Sequence, residues 1–549
     1  MMTIPTMQTV LFWGQRILIA IAAIILLVIA IKISGFISKK KNAPKSGLKK
    51  KSKSKASGII FGKGSGNRLV CSPEHGEGMV AVFGGTGTGK SSAILIPTLR
   101  RFNGSVFCLD IAGDIVPNVL VNASGKVPGN ASDKVPGKSS DNASSSISGN
   151  VLGNASGKVP GNASNNPSSS ISGKVLGNAS DKVPGKASDK VPGKALNNTS
   201  GKASNSNRII FTPEDPNTTP YNAFAMIGIA ADIEEQQERL LQMAYILIPE
   251  NLQDSDVTVF YKNEARRLLQ AALVAYYTRL DFVDICRHIV GCGYELLIND
   301  IKASENDLAI RLAGSFETIN EKTLGGIKQE IDKSIMLFAT NNKIARSVRR
   351  PADGEQAITP STLETSSVFI AIDDVKLELY SPLLRLITAQ TLEYLSTRPN
   401  KSDPPILLAL DEFSSLGKLD ILPALRKLRK KNVRICIFTQ SLADLDLIYG
   451  SAERRAMLDN IAYKVVLSAT DYDTQRYFSD LAGERRVVKT TYTSSTDGES
   501  ESQTLQREKI IFPEEFARLG DYLILMHPAG VMQLKKNFYF KKRLFGFRK

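Results

Sequence analysis

The chain has 549 residues, 70 Lys and Arg against 54 Asp and Glu, a net charge of +16 and five cysteines. A chain this long buries more than one core, so a single small domain is excluded. Cys71, Cys108, Cys286, Cys292 and Cys436 show no paired spacing, which argues against a disulfide framework and a zinc ribbon; Cys286, His288 and Cys292 fit ordinary helix packing better than a metal cluster.

Residues 10–31, "VLFWGQRILIAIAAIILLVIAI", are apolar apart from Gln15 and Arg16. At ~1.5 Å per residue they cover the ~30 Å of a hydrocarbon core, which predicts one membrane-spanning helix. From Lys32 to Arg68 come eleven Lys and one Arg with no acid. The positive-inside tendency then leaves everything after the anchor on the cytoplasmic side, and anionic lipid headgroups account for the basic stretch. With that stretch and a second basic segment at 117–207 set aside, the remainder is slightly acidic, so bulk charge does not mark the folded part as a DNA binder.

Next comes "MVAVFGGTGTGKSSAILIPTL", an apolar strand pattern, a glycine-rich turn and a helical pattern. Gly84, Gly89, Lys90 and Ser91 have the spacing G-x-x-x-x-G-K-S of a P-loop, with Gly85, Thr86, Gly87 and Thr88 inside the loop and Ser92 after it. Glycines let the backbone curl so that N–H groups point at phosphate oxygens, and the helix start adds a positive dipole. Lys90 is placed for the β and γ phosphates and Ser91 for Mg²⁺.

Residues 117–207 repeat units such as "KVPGNASDKVPGK", rich in Gly, Pro, Ser and Asn and without an aromatic residue. Such a segment buries too little apolar surface to offset its ordering entropy and is expected to be a disordered insertion. Lengthening a loop from about 5 to about 90 residues costs roughly 2 to 3 kcal/mol in closure entropy, which a large domain tolerates.

"RIIF" (208–211) resumes a strand, and 225–345 is helical, with apolar residues recurring at three and four in "EEQQERLLQMAYILI" and "NEARRLLQAALVAYYTRL". Strands are then expected at 367–372, 406–410 and 434–439, separated by helical runs such as "SPLLRLITAQTLEYL". This alternation predicts an α/β fold, a parallel sheet covered by helices on both faces.

"ILLALDEF" ends a buried strand in Asp411 and Glu412. The first is placed to hold the Mg²⁺ shell and the second to polarise an attacking water, which favours ATP hydrolysis. Gln440, at the end of "RICIFTQS", is a neutral amide positioned to sense the γ-phosphate. In "LRKLRKKNVR" several cations share an exposed face, and in a ring one of these arginines can enter a neighbouring subunit's site. The polar stretch 489–508 reads as a mobile loop, and the closing "KKNFYFKKRLFGFRK" as a strand with a basic exposed face.

These motifs resemble the TraG-like type IV coupling proteins, the membrane-anchored ATPases of conjugation and type IV secretion. The resemblance is carried by "GGTGTGKSSAILIPTL" with "NGSVFCLD", by "ALDEFSSLGKLDILPALRKLRKKNVRICIFTQSLADLDLIYG" and by "REKIIFPEEFARLGDYLILM". It implies a RecA-like P-loop NTPase motor domain with an inserted all-helical domain that receives substrate, gathered as a homohexamer at the bacterial inner membrane. Carried over residue by residue, Lys90 and Ser91 bind ATP and Mg²⁺, Asp411 and Glu412 form the second acidic motif, Gln440 senses nucleotide state, and Arg429 falls at the trans-acting arginine.

The implied organisation is a transmembrane anchor at 1–32, a basic linker at 33–68, the ATPase domain at 69–116 with 208–224 and 346–549, the insertion at 117–207 and the helical domain at 225–345. The implied partners are other type IV secretion components and either a relaxase with its attached single-stranded DNA or protein effectors. The family's Asp-x-Lys-Gly-Glu reads "DIAGD" here, with Ala112 in place of the lysine and Asp114 in place of the glutamate. A docking platform that no longer hydrolyses ATP is the rival this departure motivates, although Gly89, Lys90, Ser91, Asp411 and Glu412 are intact. A DNA-translocating membrane ATPase of chromosome segregation shares the motor, but carries several membrane helices and a C-terminal winged domain.

Overall fold

Strands covered on both faces read as unbroken apolar runs, and three such runs form the centre of this fold. The computed structural model describes residues 58–73, 78–120, 207–495 and 498–540. The membrane helix expected at 10–31, the linker up to residue 57 and residues 121–206 of the expected insertion lie outside the described residues. Among the described residues, no helix is long and apolar enough to cross a membrane.

The strands are β1 (Ile60–Lys63), β2 (Leu69–Cys71), β3 (Val80–Phe83), β4 (Ser105–Asp110), β5 (Asn207–Phe211), β6 (Ser366–Ala371), β7 (Ile406–Leu410), β8 (Val433–Thr439), β9 (Tyr463–Val466), β10 (Glu484–Ser495), β11 (Gly498–Lys509), β12 (Tyr522–His527) and β13 (Gly530–Lys535). Eleven of them make one sheet in the order β2-β1-β13-β12-β9-β3-β8-β7-β4-β6-β5. From β9 to β5 every neighbouring pair is parallel. Strands β12, β13, β1 and β2 extend the sheet antiparallel.

The period-two geometry of a strand sorts the apolar runs cleanly between two cores. Ala81, Phe83, Leu408, Leu410, Ile435 and Ile437 enter one. Val80, Val82, Leu407, Ala409, Cys436 and Phe438 enter the other, which is closed by Ala93–Ile96 of the helix after β3 and by Ile115 of α2 (Ile115–Leu120). That first helix opens as a π-helix, Lys90–Leu95, before continuing as α1 (Ile96–Leu99). Pro97 lacks the N–H that would reach the Ala93 carbonyl, and the turn before it is widened, with Ile96 N–H donating five residues back to Ser91.

The core on the opposite face runs without a break into the helical segment. Its helices are α3 (Ile233–Leu247), α4 (Asp256–Tyr276), α5 (Phe282–Gly291), α6 (Tyr294–Lys302), α7 (Asp307–Gly314), α8 (Glu321–Thr340) and α9 (Asn342–Ser347). Asp232, Ser255 and Asn320 cap three of them by accepting from first-turn N–H groups, as short polar residues at a helix start do. The segment leaves and rejoins the sheet at one place. Tyr221 N–H donates to the Ser347 carbonyl at 2.8 Å, Asn222 N–H to Ile358 at 3.0 Å, and Ile358 N–H to Pro220 at 2.8 Å. The buried Tyr221 hydroxyl donates to Gln390 Oε1 at 2.6 Å on α10 (Leu377–Thr397).

Four expectations change. The apolar run Ile59–Phe61 is fully buried, so β1 belongs to the sheet, although its flanking lysines made it read as linker. Helix α2 continues through Leu120 and β5 begins at Asn207, so both ends of the stretch read as insertion are regular structure. The polar segment 489–508 is not a loop: β10 and β11 pair over twelve residues each, from Glu484↔Lys509 to Ser495↔Gly498. Thr, Val and Tyr favour a pleated strand whatever the overall polarity, and Asp-Gly at 497–498 is a hairpin signal. At the other end of the chain, β13 stops at Lys535 and residues 536–540 form no strand, because they are taken up by contacts with the P-loop.

Replacing Tyr221 by Phe leaves Gln390 Oε1 without its hydroxyl donor. The expected cost is about 1–3 kcal/mol, read as a lower denaturant midpoint with an unchanged slope.

Candidate nucleotide site

Register alone brings the candidate residues together. Phe83 pairs with Thr439, and Leu410 with Ile437, so β3, β8 and β7 end along one line at their carboxyl ends. The P-loop follows β3, Gln440 follows β8, Asp411 and Glu412 follow β7, and the "DIAGD" stretch follows β4. Open parallel sheets take their ligands at this edge. A cavity of about 400 Å³ opens there, lined by Gly85, Thr86, Gly87, Gly89, Lys90, Ser91, Ser92, Asp411, Glu412 and Gln440, together with Asp114 and Asp374.

The P-loop's shape follows from its glycines. Gly87 and Gly89 hold φ of 75° and 101°, in the left-handed region where a Cβ is strained. Thr88 closes the turn on itself, its hydroxyl donating to the Gly85 carbonyl at 2.7 Å. Gly84 sits behind the cavity and gives its carbonyl to Lys90 Nζ at 2.9 Å. The Lys90 ammonium, 7% exposed, also lies 3.3 Å from Glu412 Oε1. A buried ammonium has to be paired, and here it spans the loop it belongs to and the acid on the far strand.

Asp411 is 3% exposed and its Oδ1 has no hydrogen-bond partner. Burial, reinforced by the neighbouring Glu412 charge and opposed by Lys90, pushes its pKa up to about 7. Glu412 takes φ 44° and ψ 50°, a left-handed conformation uncommon for a glutamate. Its Oε2 accepts from Gln440 Nε2 at 3.4 Å, which links the ends of β7 and β8.

Arg429 is the candidate that does not join the group. It lies in the exposed turn before β8, on the amino side of that strand and so at the opposite edge of the sheet from the cavity. Asp114, singled out in the sequence only as a departure from a motif, lines the cavity with a buried, unpartnered Oδ1, and burial raises its pKa. Asp110 of the same stretch accepts from the N–H groups of Ile115 at 3.3 Å and Val116 at 2.7 Å, and so starts α2. Asp374, Leu377 and Ser415 also line the cavity and were not anticipated. Asp374 carries the signal that revealed Asp411, an acid just past an apolar strand.

Residues 30–121 and 199–548 match the family model described as Type IV secretory system Conjugative DNA transfer. Protein VirD4 of Agrobacterium fabrum (strain C58) is 28% identical over 187 residues, 32% of this chain and 28% of that protein. The type IV secretion system-coupling protein VirD4 of Bartonella quintana (strain Toulouse) is 19% identical over 359 residues, 62% of this chain and 55% of its own length. The matched part thus spans from about a quarter to about half of these relatives. Among solved structures, the plasmid coupling protein TrwB in complex with the non-hydrolysable ATP analogue ADPNP superposes with a TM-score of 0.57 at 16% identity, covering 92% of this chain and 95% of that one. The same protein in complex with ADP and Mg²⁺ gives 0.53 at 16% identity, covering 84% and 86%. These likenesses carry the α/β, RecA-like P-loop fold. With the family model matched over most of its length, the chain belongs to the type IV secretory system conjugative DNA transfer family.

Proposed function

We propose that the chain is an ATP-hydrolysing coupling protein, which brings a relaxase with its single-stranded DNA, or protein effectors, to a type IV secretion channel. The observation that carries this reading is the single cavity in which Lys90, Asp411, Glu412 and Gln440, from three strand ends, face one another. In this reading the glycine-rich turn cradles the phosphates by its N–H groups, and Lys90 exchanges its contact with Glu412 for phosphate oxygens. That exchange frees the Glu412 carboxylate to accept a proton from the attacking water. Gln440, already bonded to Glu412, reports on the γ-phosphate.

Ser91 and Asp411 would hold Mg²⁺, and the unpartnered, buried Asp411 Oδ1 fits a cation ligand. When bound, the ion neutralises charge on the phosphate oxygens. Arg429 is assigned to a neighbouring subunit's site in a homohexamer, in keeping with its exposed position in the turn before β8, outside the lining of its own chain's cavity. The apolar run at 10–31 supports a single-pass anchor in the inner membrane with the bulk of the chain cytoplasmic, and the segment 225–345 is assigned to substrate reception.

Two tests follow. In full-length protein held in lipid nanodiscs, Lys90→Ala should lose ATP turnover at least a hundredfold while keeping its thermal midpoint; equal phosphate release by variant and wild type would leave only the docking-platform reading. The second uses protons. Folded Asp411 keeps its proton up to about pH 7, whereas unfolded it releases it near the ordinary 3.8. Between those values the native state binds more protons, so this group's contribution to stability declines as pH rises through the window and the decline is complete above it. In nucleotide-free protein, Asp411→Asn should therefore gain in thermal midpoint relative to wild type between about pH 4 and 7, and a constant offset would contradict the assignment.

A further inference from the structure

The segment after β13 returns to the P-loop and touches it at three successive places. Lys536, 6% exposed, donates from Nζ to the Thr88 carbonyl at 2.9 Å, and its own N–H is anchored to the Asp521 carbonyl at 2.8 Å. The Phe538 ring lies so close to Gly89 that a Cβ there would stand 2.9 Å from its Cε1. Tyr539 N–H donates to the Ser92 carbonyl at 3.0 Å, while its ring lies under the Arg100 guanidinium at 5.0 Å.

We propose that Lys536–Tyr539 is a strap backing the phosphate cradle, with Lys536 as a positioning residue for nucleotide binding. The proposal rests on the reading of the cavity as a nucleotide site. A trans peptide is planar, with its C=O and N–H directed to opposite sides. Fixing the Thr88 carbonyl on Lys536 therefore turns the Gly89 N–H away from the strap, toward the side on which Gly89 lines the cavity.

The loop needs this restraint because of what gives it its shape. Gly87 and Gly89 permit the left-handed turn, and by the same freedom they let the peptide between them and Lys90 rotate out of register. A buried ammonium on the carbonyl, a ring against the Gly89 Cα and a bond to Ser92 remove that freedom before any ligand arrives. Binding then costs less ordering entropy. Lys536 also places a second positive charge behind the cradle, in a poorly solvated position where its field is weakly screened.

The test uses full-length protein in nanodiscs with fluorescent ADP and ATP analogues, steady-state phosphate release and nucleotide-free thermal unfolding. Lys536→Met should weaken binding of both nucleotides, and raise KM, roughly tenfold, as loss of a charged hydrogen bond does. Turnover at saturation should stay within twofold, and Lys536→Arg should recover most of the affinity. This split separates positioning from general damage, which would lower kcat and the thermal midpoint together. Should Lys536→Met not fold, Phe538→Leu keeps the ammonium and loosens the ring on Gly89 together with its contact to Phe540, with an expected threefold rise in KM at unchanged kcat. Wild-type affinity in the folded variant tested overturns the strap while the nucleotide reading stands. Failure of the wild type to bind either nucleotide overturns that reading and the strap with it.

Discussion

Parallel pairing of β3, β8, β7 and β4 is the constraint on which the rest of the molecule depends. A register fixed by Phe83↔Thr439 and Leu410↔Ile437 leaves four loops no choice but to emerge side by side. A shift of one residue in any of these strands would exchange its two faces, sending Val82 or Phe438 from one core to the other. The apolar cores on the two sides thus hold the polar site in place, and two core residues, Ile111 and Leu377, line its cavity.

Within that frame the site is a balanced electrostatic assembly. Lys90 and Glu412 satisfy each other across the cavity, while Asp411 and Asp114 each keep a buried oxygen without a partner. A positive charge held by one acid beside two undersatisfied carboxyls is a poor arrangement for an empty cavity and a suitable one for a cavity that receives phosphate with a cation. The strained backbone of Glu412 fits the same account: the carboxylate reaches Lys90 and Gln440 from a conformation that an ordinary turn would not adopt.

Much of this was legible in the sequence because the signals are local. Strands such as Ile406–Leu410 are buried on both faces and have to be apolar throughout, and the left-handed backbone at Gly87 and Gly89 favours glycine at both positions. Where local composition and tertiary environment disagree, reading failed. Ile59–Phe61 is too short to outweigh the lysines around it, and Ser, Thr and Glu conceal the pairing of β10 with β11. The contact of Lys536 with Thr88 spans 448 residues, and no periodicity or motif near either one announces the other. Asp114 illustrates a third case: its position was noted for what it replaced rather than for the cavity it enters.

The helical segment leaves and rejoins the sheet through one gate, where Pro220–Asn222 meets Ser347 and Ile358, and it leans on α10 through Arg385 to the Ile246 carbonyl at 2.9 Å and Gln390 to the Ala223 carbonyl at 2.9 Å. A helical segment that enters and leaves the sheet at one seam can diversify its exposed surface by ordinary mutation while the strands beneath it keep their own sequence rules. The seam itself, Pro220–Asn222 with Ser347 and Ile358, is the part that such variation has to leave alone.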